Sequence, residues 1–222
     1  MKKLLRGIID FRKRLLKQYR KKFSKLAWLG QSPDLLLVSC CDSRVAPNVF
    51  ASTDPGDVFV LRNIGNLVPP YSVGDKVPSV AAAVDYSLLA LKVSDIVICG
   101  HSECGAMCSF FQKESDNPIS APLKQWLSYA NSSYEKFKAL PAMETGLSPH
   151  NVLSQLNVVQ QMENIKTYPE VYARWSTHQL RIHGWWFDLA SGNIYYYNEN
   201  AKKFVLLDEE ESERLLSKGL ST

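Results

Sequence analysis

Leu35-Leu36-Leu37-Val38-Ser39-Cys40-Cys41-Asp42-Ser43-Arg44 is a short apolar run that ends in a cluster of chemically active side chains. Further along, Ile96-Val97-Ile98-Cys99-Gly100-His101-Ser102-Glu103-Cys104 repeats the plan. Continuous apolar runs of this length read as strands buried on both faces of a parallel sheet. In an open α/β sheet, ligands bind outside the carboxyl ends of the strands. Two strand ends therefore deliver Cys40, Asp42, Arg44, His101 and Cys104 to one place. Two thiolates and an imidazole suit Zn²⁺, and a catalytic zinc keeps its fourth position open.

Outward from this pair, the chain alternates strands and helices. Residues 2 to about 28 predict an amphipathic helix, with Leu4, Ile8, Leu15, Tyr19, Phe23 and Leu26 on one stripe and Lys and Arg opposite. At about 25 residues it would be about 37 Å long. It has no obvious groove of its own, so it is expected to pack on a partner subunit. Gly30-Gln31-Ser32-Pro33 ends it. A helical turn is expected at Pro47, a strand over Asp57 to Arg62, and a Gly- and Pro-rich loop over Asn63 to Pro78. A loop of that length in a compact domain points to function. Ser79 to Lys92 reads as a helix whose Ala face suits close packing on a sheet.

A helix is expected just after Cys104, and two more at about 121–140 and 148–166. The last of these opens on Ser148-Pro149, an N-cap followed by Pro at the first helical position. Leu180 to Phe187 and Ile194 to Tyr197 read as strands joined by the turn Ala190-Ser191-Gly192-Asn193, with Lys203 to Leu207 as an edge. The expected fold class is α/β: a central, mostly parallel sheet flanked by helices. The expected organisation is a helical arm (1–30), a zinc-binding α/β domain (31–207) and a polar C-terminal tail (208–222), the tail being a frayed helix.

The composition bounds the function classes. Apolar residues at 45% and charged residues at 22% fit a globular chain of 222 residues with one core. Eleven of the 26 Lys and Arg residues fall within the first 25 positions, against one acid, Asp10, so the remaining body is acidic. Such an arm is either a solvated helix face or an anion-seeking surface. No run approaches about 18 apolar residues, so no membrane span is expected. Nothing calls for nucleic acid. The N-terminus lacks the uncharged apolar stretch of a signal peptide. The five cysteines are spaced for a metal in a reducing compartment rather than for disulfides. A cytoplasmic protein is the expectation.

His101-x-x-Cys104 alone is a common spacing; Cys40 on a second strand end is what strengthens it. Asp42 and Arg44 can pair in a forked, charge-assisted hydrogen bond, the plain alternative being a structural ion pair. Taken together, Cys40-x-Asp42-Ser43-Arg44 and His101-x-x-Cys104-Gly105 resemble the zinc signature of the β-class carbonic anhydrases. The resemblance extends through Pro55 to Asn63, Ser94 to Ser102 and His183-Gly184-Trp185, roughly residues 4 to 207 in all. Its version here is similar to the plant-type and bacterial cyanate-operon-type branch.

The resemblance implies one Zn²⁺ per chain held by Cys40, His101 and Cys104, with water, hydroxide or Asp42 in the fourth position. Arg44 would hold Asp42 off the metal as an acceptor for bound hydroxide. Gln31, Phe59, Ile64 and Tyr86 match substrate-pocket positions, Phe59 and Tyr86 coming from a neighbouring subunit. Leu37 stands where one bacterial branch has a Trp that builds an inhibitory bicarbonate site, so no such site is expected. Ser79 departs from the usual Gly.

The implied reaction is zinc-dependent reversible hydration of carbon dioxide to bicarbonate and a proton, by a zinc-bound hydroxide. Zinc brings the pKa of bound water toward about 7. Two thiolates should leave it higher, with activity rising with pH. Hydrolysis of carbonyl sulfide or carbon disulfide on the same zinc, and a structural zinc module without activity, are the alternatives. The partner would be an identical subunit, in a dimer or a dimer-based assembly. Cys41 is expected to be small and buried, Cys99 a core residue, and Cys108 a weak competitor as ligand. His183 is expected to be structural; His150 and His178 read as surface residues.

Overall fold

Six strands form one mixed sheet in the computed structural model, which describes residues 1–112, 119–141 and 146–217. They are β1 (Leu35–Cys40), β2 (Val58–Asn63), β3 (Asp95–His101), β4 (Arg181–Phe187), β5 (Ile194–Asn198) and β6 (Lys203–Leu206), in spatial order β2-β1-β3-β4-β5-β6. The first four run parallel, and β5 and β6 add antiparallel. The chain moves from β1 outward to β2, then crosses back to β3 on the other side of β1. That reversal makes the carboxyl ends of β1 and β3 the switch point of the sheet, the place where open α/β sheets bind their ligands.

Alternate residues of the central strands serve two faces, as a two-residue period requires. Leu36, Val38, Ile96, Ile98 and Ile182 face one side and pack with residues of α4 (Pro78–Asp85), α8 (Pro149–Ile165) and α9 (Pro169–Ser176). Leu37, Val97 and Cys99 face the other, with Phe50, Trp185 and Phe187 against them. The remaining helices in chain order are α1 (Lys2–Asp10), α2 (Leu16–Leu29), α3 (Pro47–Phe50), α5 (Gly105–Cys108), α6 (Ala121–Leu127), α7 (Asn131–Lys138) and α10 (Glu209–Ser217).

Helix α8 lies unusually close to the sheet. A Cβ at Gly100 would stand 2.6 Å from Val158 Cγ2, and one at Gly184 would stand 2.5 Å from Met162 Sδ. Two glycines on neighbouring strands thus let α8 settle over β3 and β4, so that it reaches the site beyond their ends.

The arm is one helical run with a π-turn at Phe11–Leu15 between α1 and α2. Its base is tied to its own chain: Lys22 Nζ bonds Asp54 Oδ2 and Asp57 Oδ1, both at 3.1 Å. Leu26 sits where a side chain at Gly56 would be. Every residue of α1 is exposed, including Leu4, Leu5, Ile8 and Ile9.

The expected fold class holds, with local corrections. The helix expected over 121–140 is broken by a 3-10 turn at Ser128–Ala130, which lets both Leu127 and Ala130 bury in the same apolar cluster. Helix α9 has no counterpart in the sequence reading, although Tyr168-Pro169 places Pro at its first position. Residues 209–217 of the tail are a docked helix: Glu211 accepts from Tyr196 Oη on β5 and from Arg214. The last five positions of the expected tail lie outside the described residues. None of the helices described is long and apolar enough to cross a membrane.

Candidate metal centre

Cys40 is the last residue of β1 and His101 the last of β3, and the register aligns Ser39 with Cys99. Cys104 follows as the N-cap of α5. Sγ of Cys40, a ring nitrogen of His101 and Sγ of Cys104 all lie within 4.8 Å of one another, and all three residues are buried. Donors around a tetrahedral zinc stand roughly 3.5–3.8 Å apart. His101 Nδ1 is 2.8 Å from the Ser102 carbonyl and donates to it, which leaves Nε2 with a free lone pair. That Nε2 is buried and unpartnered. A buried imidazole nitrogen without a partner, facing two thiols, is what a metal-ligating histidine looks like without its ion. The donor set therefore fits zinc.

The neighbouring Cys104 thiol and the Gly65 N–H favour the Cys40 thiolate and lower its pKa, against the opposing effect of burial. Cys104 is correspondingly pushed up.

Asp42 stands beside this cluster. Its Oδ1 accepts from the Arg44 backbone N–H and Nε, both at 2.9 Å, and its Oδ2 accepts from Arg44 Nη2 at 2.7 Å. Oδ2 is also the oxygen nearest the donors, 4.0 Å from His101 Nε2. The guanidinium holds the Asp42 carboxyl well below the usual carboxylate range, so it is an anion at every working pH. Arg44 is 53% exposed, and a pair so open to water adds only about 0–1 kcal/mol to stability. What the fork supplies is orientation.

Backbone around the site is held by residues the sequence reading did not single out. Arg62, at the end of β2, donates to the carbonyls of Cys40, Asp42 and Val45 and so fixes the loop that carries Asp42. Glu103 has φ +54°, an uncommon conformation for a side chain of this kind. Asn151 keeps it there, accepting from the Glu103 N–H at 2.8 Å and donating to Oε1 at 3.0 Å. In that pose the Glu103 carbonyl accepts from Arg44 Nη2 at 2.9 Å.

Ser154 Oγ donates to the His101 carbonyl, Asn157 Nδ2 to the Gly65 carbonyl and Asn164 Nδ2 to the Val68 carbonyl, while Gln161 Oε1 accepts from the Val68 N–H. One polar stripe on α8 thus holds the turn after β3 and the long loop after β2, which has no strand partner of its own. Leaving such a buried group unpaired costs about 1–3 kcal/mol. The signal was present: Asn151, Ser154, Asn157, Gln161 and Asn164 recur at helical spacing on one face.

The expected pocket residues divide. Ile64 is in the loop whose next residue, Gly65, points its N–H at Cys40 Sγ (3.4 Å). Phe59 pairs with Leu36 in register, while Cys40 pairs with Asn63, so Phe59 lies about 13 Å back along the sheet from its own Cys40. It packs instead on Tyr86, ring centroids 5.7 Å apart. Gln31 is exposed before the amino end of β1, about 16 Å of strand from Cys40.

Five minor expectations change or hold. Cys41 is exposed, not buried, because Cys40 turns inward and its neighbour must turn out. His150 is not a free surface residue: its Nε2 stands 3.0 Å from Glu103 Oε2. Cys99 is fully buried and its thiol is pushed up to about 12. His183 bonds Asp95 at 2.9 Å near the amino ends of the strands, beside Arg181, as a structural residue would. Cys108 is partly buried and stands outside the three-donor cluster.

Against known proteins, the family model for carbonic anhydrase matches residues 35–194. Carbonic anhydrase 1 of Escherichia coli O157:H7 is 37% identical over 207 residues, covering 93% of this chain and 92% of that protein. Among solved structures, the β-carbonic anhydrase CcaA superposes with a TM-score of 0.83 at 30% identity, over 96% of each chain. One of two tetrameric β-carbonic anhydrases from Sordaria macrospora superposes at 0.72 with 29% identity, over 87% of this chain and 94% of that one.

Proposed function

The chain belongs to the β-carbonic anhydrase family, and from that premise we propose that it interconverts carbon dioxide and bicarbonate on one Zn²⁺ held by Cys40, His101 and Cys104. The observation that carries the metal is the buried, unpartnered His101 Nε2 facing two thiols. Zinc supplies Lewis acidity, which makes water a usable nucleophile near neutral pH.

The protein's own residues supply the rest. Asp42 is an acceptor only, and the fork leaves Oδ2 with spare lone pairs on the side of His101. A water O–H beside the three donors would point at Oδ2, which turns its oxygen lone pair toward substrate. Arg44 keeps Asp42 in this pose and out of the ligand set. Cys40 and Cys104 share their cluster with Leu67, Ala106, Met107, Leu127 and Leu153, surroundings that suit a small apolar substrate. Hydrolysis of carbonyl sulfide or carbon disulfide draws no support from the relatives reported above, all named carbonic anhydrases. Removing zinc with a chelator is expected to abolish hydration, and adding zinc back to restore it. Hydration that survives complete removal would rule the proposal out.

The assembly is part of the proposal. All nine residues of α1 are exposed, so nothing among the described residues covers its apolar side. Leu4, Leu5, Ile8 and Ile9 are 51–68% exposed, so covering them on a second copy would contribute on the order of 1–2 kcal/mol each. The arm is basic and the body acidic, which favours one copy's arm on another's body. Gln31, Phe59 and Tyr86, each remote from its own metal centre or paired with a residue that is, would then serve the neighbour's pocket. The tetrameric state named for the Sordaria macrospora enzymes agrees with identical subunits. Deleting residues 1–20, which spares Lys22 and Leu26, should lower the mass measured by light scattering; an unchanged mass refutes the exchanged arm. The need to keep Cys40 and Cys104 reduced supports a cytoplasmic setting.

A further inference from the structure

The Gly65 N–H that meets Cys40 Sγ belongs to the Ile64–Gly65 peptide, in the short 3-10 turn Ile64–Asn66 that follows β2. Its other side is held by a side chain: Trp126 Nε1 donates to the Ile64 carbonyl at 2.8 Å. The next carbonyl, that of Gly65, accepts from Asn157 Nδ2 at 3.0 Å. The Asn157 amide cannot turn over, because its Oδ1 accepts from Gln161 Nε2 at 2.9 Å and from Ser133 Oγ at 3.2 Å. Gly65 itself has φ +76°, and a Cβ there would lie 3.0 Å from Ala106 Cβ. The Ile64 and Gly65 carbonyls on either side of the Gly65 Cα are therefore both held, and the Gly65 N–H is aimed at sulfur.

We propose that Trp126 and Asn157 are positioning residues for the metal centre, a clamp that keeps the Gly65 N–H on the Cys40 sulfur and so sets how strongly that thiolate donates to zinc. This rests on the zinc reading above. A donor on the far carbonyl polarises the peptide and strengthens its N–H as a hydrogen-bond donor. A hydrogen bond to a thiolate draws charge away from the metal. Outer groups of this kind tune both affinity and reactivity of a metal site.

The test uses full-length protein loaded with Co²⁺, whose thiolate-to-metal charge-transfer band reports sulfur donation directly, and zinc affinity measured by chelator competition. Trp126→Phe keeps the ring and removes only the N–H. Asn157→Asp keeps the acceptor for Gln161 and Ser133 and removes the donor to Gly65. Both are expected to move the band to lower energy, because the sulfur keeps more of its charge, and to weaken zinc binding about tenfold, because the free thiolate loses the bond that stabilises and positions it for the metal. Asn164→Ala breaks a hydrogen bond to the same loop at Val68 without touching the Gly65 peptide. It is expected to lower thermal stability and leave band and affinity unchanged. A wild-type band in Trp126→Phe, or an equal shift in Asn164→Ala, would overturn the clamp. Wild-type protein that takes up no cobalt would overturn the metal centre itself, and the clamp with it.

Discussion

Cys104→Ala is expected to lose zinc and carbon dioxide hydration together, with turnover falling at least about a thousandfold. Cys104 contributes one of only three donors in the cluster. Without it, Cys40 and His101 form a two-point site that cannot compete for the ion in the presence of ordinary chelators. The loss is one of ligation rather than packing. Sγ is a small fraction of an apolar cluster that also holds Leu67, Met107, Leu127 and Leu153, so the variant should remain folded. Cys104→Ser sharpens the point: a hydroxyl nearly restores the volume but does not ionise as a thiol does, and it should be as inactive as Ala. Metal analysis on folded protein checks both. Full zinc content in either variant would mean that Cys104 is not a ligand.

Asp42→Ala and Arg44→Ala are expected to keep their zinc and lose about 10²-fold or more in turnover. Neither residue belongs to the three-donor set, so the ion should stay. Asp42 contributes a fixed, permanently ionised acceptor, and Arg44 fixes it through three hydrogen bonds counting its own backbone N–H. Arg44→Lys should fall short of wild type as well, because a point charge cannot reproduce the fork and also reach the Glu103 carbonyl. The readout is stopped-flow turnover normalised to zinc content. Full turnover in Asp42→Ala would sink the role given to the pair; loss of zinc in the same variant would instead make Asp42 a ligand.

What could be read in advance was what the chain states locally. Two apolar runs ending in Cys40 and His101 announced both the central strands and the site, because parallel strands carry their chemistry at their carboxyl ends. The role of the stripe on α8 is not legible in the sequence, because a polar residue in a helix reads as solvent-facing until the facing element is known. Asn157 and Gln161 are 1% and 0% exposed, and their partners lie some 90 residues away in sequence. The outward turn of Cys41 is not legible either, because the sequence does not mark the strand's inside and outside at its end. His150 looked like surface because its partner, Glu103, belongs to a turn whose left-handed backbone no local pattern announced. The break at Ser128–Ala130 answers to the cluster that it packs into, not to a helix breaker.

The most direct test is stopped-flow hydration of carbon dioxide from about pH 6.5 to 9 on full-length protein of measured zinc content. The account predicts one zinc per chain and hydration whose rate climbs toward the alkaline side. One zinc per chain with no hydration at any pH would contradict it.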